Sequence, residues 1–160
     1  MNYRNCALVL ASATVLITVS VGLAQQSGPP TLEQQAKKAV ETRQGLFQVE
    51  AFTFGPVGGM LKGAPLDPAL VQKEAARVRV VAGIIPEVFQ LDTSKFQVTT
   101  KARATIWSNK AEFDQKARGL EAAAAVLETA AQKGDRGAIL DAAGKVGNAC
   151  KACHDDFRDK

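Results

Sequence analysis

One histidine serves the whole chain, His154, close to the C-terminal end. Methionine is nearly as scarce, with Met60 the only one besides Met1, and cysteine is confined to Cys6, Cys150 and Cys153. A zinc centre draws on three or four protein donors, chiefly cysteine and histidine, so this inventory leaves such a site short of ligands. No second histidine, paired acids or nucleophile beside a base is visible. Turnover of an organic substrate is therefore not expected, and the chain reads as a non-enzyme. Aromatic residues make up only 6%, and the basic side chains are scattered along a chain of net charge +4, which gives no nucleic-acid patch. Strand-like alternation and internal repeats are also missing.

The first recognisable feature is at the N-terminus. Arg4 precedes an uncharged apolar run from 7 to 21, and Gly22 and Ala24 supply small residues just beyond it. This is the pattern of a secretory signal peptide, residues 1–24, with cleavage expected after Ala24. The run is short of the roughly 20 residues a spanning helix needs, so no membrane insertion is expected after cleavage. Cys6 would leave with the signal. The mature chain, from residue 25 to residue 160, would then keep only two thiols, Cys150 and Cys153.

Those thiols stand in Cys150-Lys151-Ala152-Cys153-His154, the spacing by which a c-type haem is attached. On a helix, residues three and four apart share one face. Both thiols can therefore close thioether bonds to one haem (haem c), and His154 can bind its iron. Export fits this reading, because c-type haem is attached outside the bacterial cytoplasm; the periplasm is the expected compartment. A thiol oxidoreductase using the same cysteine pair is the alternative from a different class.

The rest of the chain reads as four amphipathic helices. Thr31, with Gln34, can cap a first helix running to about Gly63. Along it Ala36, Val40, Arg43, Phe47 and Glu50 share a face, and Pro56 predicts a kink or break near 52–55. Asp67 and Pro68 open a second helix to about Gln90, lined by Val71, Ala75, Val78, Ala82, Ile85 and Phe89. Residues 91–103 lack any period and read as the longest loop. A third helix is expected over 105–133, with Phe113, Ala117, Leu120, Ala124, Leu127 and Ala131 on one face and Gly134 as its stop. Asp135 caps a fourth helix to about Arg158, whose face is Ile139, Ala143, Val146, Cys150, Cys153 and Phe157. The predicted fold is all-α, an antiparallel four-helix bundle with the haem near the last helix.

Three stretches carry a resemblance to a known family: Val146–Arg158, with the haem motif at the C-terminus; Arg43-Gln44-Gly45-Leu46-Phe47; and Ile106-Trp107-Ser108 with Phe113. Together they resemble the cytochrome c′ family over essentially the mature chain. The resemblance implies that His154 is the sole proximal iron ligand and that Arg158 flanks the proximal side. It implies that Arg43 pairs with a haem propionate and that Phe47 covers the distal side. It also implies a homodimer through the first two helices, for which Leu46, Val49, Phe52 and Leu70 are candidate contacts.

The sixth iron position separates the possible functions. Relatives that are methionine-ligated carry methionine at the position of Phe47, and phenylalanine has no lone pair to donate. Met60 is thirteen residues further on, about 20 Å along an unbroken helix, although a kink could bring it back. The expectation is a five-coordinate, high-spin haem that binds small diatomic gases, nitric oxide and carbon monoxide. A periplasmic electron carrier with a redox partner protein is the alternative.

Overall fold

The computed structural model describes residues 28–160; the signal-peptide reading, and Cys6 with it, lies outside them. Five helices follow in order: α1 (Leu32–Leu61), α2 (Pro68–Val88), α3 (Thr105–Ser108), α4 (Lys110–Lys133) and α5 (Arg136–Phe157). The four long ones form the bundle. Among the described residues no helix is long and apolar enough to cross a membrane.

The helix starts follow from their caps. Thr31 Oγ1 accepts from the Gln34 N–H at 3.2 Å while Gln34 Oε1 accepts from the Thr31 N–H at 2.8 Å, the reciprocal pair that the sequence predicts. Asp67 Oδ1 accepts from the Ala69 and Leu70 amides at 3.0 and 3.1 Å. Asp135 Oδ1 does the same for Gly137 and Ala138 at 2.8 and 3.2 Å. Gly134, at φ 72°, ends α4 in the left-handed conformation that a side chain would penalise.

Two expectations change. Of the kink or break expected near 52–55, the break is absent: α1 runs as one helix through Pro56. Proline removes the bond to the carbonyl of Phe52, but Phe52 is 75% exposed, so that carbonyl lies on the wet side of the helix and water can satisfy it. The third helix, expected as one piece, divides at Asn109, whose backbone leaves helical geometry at φ −120°, ψ 43°. The single turn α3 has its own anchors: Ile106 is buried, and Trp107 Nε1 donates to the Phe89 carbonyl at 3.1 Å.

Every apolar stripe named for the second and third predicted helices is buried, Val71 to Ile85 on α2 with Phe89 just past its end, and Phe113 to Ala131 on α4. Alanine at Ala75, Ala82, Ala117, Ala124, Ala131 and Ala143 lets neighbouring helices approach closely, and α2–α4 and α4–α5 are the most extensive seams. α1 lies along α2 but meets α5 over a much shorter stretch.

Arg43 ties α1 to the far end of α2 and to the long connection that follows. It is 3% exposed. Its Nε donates to the Val88 carbonyl at 2.8 Å, Nη1 to Thr93 Oγ1 at 2.8 Å and Nη2 to the Leu91 carbonyl at 2.6 Å. Its guanidinium lies 4.5 Å from the Phe89 ring centroid and 5.3 Å from that of Trp107, a stacked arrangement that is favourable for a desolvated cation. The other end of the connection pairs with the chain terminus. Ala102 and Arg158 form an antiparallel bridge, with Arg103 N–H on the Phe157 carbonyl at 3.1 Å and Asp159 N–H on the Lys101 carbonyl at 2.9 Å.

Two substitutions test this packing by urea denaturation. Leu127, fully buried, is expected to cost about 2–5 kcal/mol as Leu127→Ala, with the midpoint lowered and the denaturant slope unchanged. Arg43→Met keeps the side-chain bulk but strands two carbonyls and a buried hydroxyl, and is expected to cost about 3 kcal/mol or more.

Candidate haem site

Cys150 and Cys153 stand one turn apart on α5, on the same stripe as the buried Val146 and Phe157. Both are free thiols, half-buried, and both pack against the main core. Burial pushes the Cys150 thiol up to about 11, with Glu50 adding to the shift. Burial also raises Cys153, partly offset by Lys116. A thiol redox centre needs the opposite, an accessible thiolate of lowered pKa. The pair is therefore poorly suited to oxidoreductase chemistry and well placed for permanent covalent attachment at a core edge.

His154 follows on the exposed side of the last turn. It shares a shallow open cavity with Arg103, Asp155, Arg158, Asp159 and Lys160. Partial burial and the Arg158 charge lower its pKa, against a smaller opposing effect from Asp155. This favours the neutral imidazole, the form that binds a metal. Arg158 and His154 are thus brought together at the end of α5.

On the opposite helix, Arg43 and Phe47 share a stripe but do different work. Arg43 is committed first to the protein, through the three bonds described above. Its guanidinium has five N–H groups, so one on each Nη is left for a further acceptor such as a propionate. Phe47 is 37% exposed, with its ring 6.1 Å from Phe89. Phe89 continues to Phe113 at 4.8 Å, and Phe113 to Phe157 at 5.3 Å, so a run of four rings reaches from α1 to the haem-motif helix. Met60 is buried at the remote end of α1. The helix is unbroken between it and Phe47, which keeps the two about 20 Å apart along the axis.

Three residues take positions that the sequence pattern did not assign. Arg103 fastens the last turn of α5: Nη1 donates to the Asp155 and Asp156 carbonyls at 2.9 and 3.2 Å, and Nε pairs with Asp159 at 3.0 Å. Lys116 reaches Asp156 at 2.8 Å from α4. Both belong to other elements, so no local signal revealed them. Glu50 was legible as a member of the inward stripe of α1, but a carboxyl there had no evident role. It is 9% exposed, and neither Oε has a hydrogen-bond partner among the described residues.

These features fit a covalently held haem. Two half-buried cysteines lie at the edge of the core. The sparse α1–α5 seam lies beside them, and a buried carboxyl there is felt at Cys150. His154 and Arg158 complete the end of the same helix.

Comparison with known proteins agrees. The profile of the family described as Cytochrome C' matches residues 38–158. Cytochrome c′ of Cereibacter sphaeroides is 38% identical over 128 residues, 78% of this chain and 85% of that protein. The cytochrome c′ of Rubrivivax gelatinosus is 35% identical over 79% of this chain and 98% of its own length. Among solved structures, cytochrome c prime from Shewanella frigidimarina superposes with a TM-score of 0.71 at 36% identity, covering 78% of this chain and 97% of that one. A nitric oxide complex of a variant of cytochrome c prime from Alcaligenes xylosoxidans superposes with a TM-score of 0.69 at 32% identity, covering 78% and 97%. With its fold, its cysteine motif and its relatives in agreement, the chain belongs to the cytochrome c′ family and is a c-type haem protein.

Proposed function

We propose that this protein is a periplasmic cytochrome that binds small uncharged diatomic gases, nitric oxide and carbon monoxide, at a five-coordinate high-spin haem. Its role would be nitric oxide tolerance or sequestration rather than turnover of a substrate. The observation that carries the reading is the ligand inventory set on the helices. His154 is the only histidine, and Met60 is buried at the wrong end of an unbroken α1. When bound, the haem supplies an iron whose ferrous form takes up such gases.

The chain's own residues decide which ligand is admitted. Phe47 offers a hydrocarbon ring and no hydrogen-bond donor, which suits an uncharged ligand and gives bound dioxygen no support. Its partial exposure leaves room for the ring to swing aside. Cys150 and Cys153 would fix the cofactor to α5 through their sulfurs, so ligand exchange at the iron does not cost cofactor retention. Arg158 and Arg103 stand beside His154, where they could stabilise a ligand arriving from that side if His154 let go. The solved relative with nitric oxide bound supports the choice of gas.

A homodimer belongs to the same reading. Val49 and Phe52 are 50% and 75% exposed on α1 and are suitable contacts. Leu46 and Leu70 are half-buried and packed against the core, so they contribute less to such a surface than the sequence pattern implied.

Titrating the ferrous protein with nitric oxide, followed by absorption and electron paramagnetic resonance, tests the proposal. Stoichiometric binding with loss of the His154 bond is expected; no binding, together with fast electron exchange with a partner cytochrome, would favour the electron-carrier reading instead. Phe47→Ala provides a second test by flash photolysis of the carbon monoxide complex. If displacing the ring contributes about 1.4 kcal/mol to the barrier, its removal speeds rebinding about tenfold; an unchanged rate would remove Phe47 from the distal role.

A further inference from the structure

Glu50 is the buried side chain whose polar atoms find no partner among the described residues. Burying a carboxyl is costly unless hydrogen bonds replace its water, and native proteins rarely leave such a group unpaired. Glu50 is nine-tenths buried, with both oxygens unpartnered among the described residues. It projects from the inward stripe of α1, one turn beyond Phe47, into the seam with α5. Across that seam stands Cys150, close enough that the Glu50 charge is felt at the thiol. The nearest hydroxyl on its own helix, Thr53, is already spent on the Glu50 backbone carbonyl at 2.9 Å.

We propose that Glu50 is a redox-linked proton site for a haem held at Cys150. The inference rests on the haem reading of the Cys150–Cys153–His154 motif and adds a role for Glu50 to it. A carboxylate there stabilises the ferric state, and the neutral acid suits the ferrous state. When one electron arrives from a one-electron donor, ferric iron becomes ferrous and Glu50 takes one proton from bulk water onto an Oε, so net charge at the site is unchanged. Nothing else is made or broken.

The electrostatic surroundings support this. Burial alone raises Glu50 from its ordinary 4.5 to about 7, inside the range where one added charge nearby shifts its occupancy. From α5 the facing titratable group is Cys150, which becomes an uncharged thioether on attachment. Of the charged side chains on α2, four are engaged with other partners, and the fifth, Glu87, stands near the C-terminal end of the helix. Glu74 pairs with Arg77 at 2.9 Å and with Lys73 at 3.5 Å, and Arg79 pairs with Glu128 at 3.2 Å. The iron's charge is thus the variable that Glu50 is left to answer.

The test uses the intact haem protein and measures the reduction potential against pH by spectroelectrochemistry, in wild type, Glu50→Gln and Glu50→Leu. Wild type is expected to fall with rising pH around 7, approaching one proton per electron. Both variants should be flat over that interval and more oxidising than wild type above it. Reduced-minus-oxidised infrared spectra should show a protonated-carboxyl band gained on reduction in wild type and absent from both variants. If the variants keep the wild-type slope, or the band survives, another group takes the proton and the proposal is overturned. If no covalent haem forms in wild type, the underlying haem reading fails as well; a normal haem with a pH-independent potential overturns only the Glu50 assignment.

Discussion

Close packing between alanine-lined helices is the constraint from which the rest follows. Ala75, Ala82, Ala117, Ala124, Ala131 and Ala143 are essentially without exposed surface, and such small side chains let the helices carrying them pack closely. That closeness is spent on the α2–α4 and α4–α5 seams. α1 cannot be equally close to everything. It is held along α2 and pinned by Arg43, while its seam with α5 stays sparse. Cys150 on α5 and Glu50 on α1 border this sparser seam, the side on which a cofactor attached to the cysteine motif would be held.

The ends of that place are braced from outside the two helices that border it. Arg43 holds Val88, Leu91 and Thr93 by hydrogen bonds and lies against Phe89 and Trp107, so the start of the long connection is bound to α1. The finish of the same connection is bound to α5 through Arg103 and the Ala102–Arg158 bridge. One segment without regular structure therefore links both walls. This explains why residues that read as a polar loop include Thr93, which is 1% exposed. It also explains how the turn bearing His154 can be exposed and still be held in position.

Periodicity made most of the fold legible. The caps at Thr31, Asp67 and Asp135, the stop at Gly134 and the stripes of α2 and α4 are local signals, each written within a few residues. The haem-motif cysteines and the histidine were legible for the same reason. What the sequence did not reveal depends on contacts between distant segments. Pro56 announced a break that an exposed carbonyl made unnecessary. Asn109 divided a helix because Ile106 and Trp107 answer to Phe89 and the core. Arg103 and Lys116 act on α5 from other elements, and no spacing rule connects them to it. Glu50 was visible as an inward residue, but whether its carboxyl would find a partner was a question only the packed seam could answer.

Function turns on what stands opposite His154. The chain has no second histidine, and Met60 is packed at the far end of α1; the proposed function accordingly requires an iron with one protein ligand and an apolar distal neighbour. The most direct measurement is the absorption spectrum of the purified ferric protein near neutral pH. A high-spin, five-coordinate spectrum with no sulfur-to-iron charge-transfer band is expected. A six-coordinate low-spin spectrum carrying that band would place methionine on the iron and contradict it.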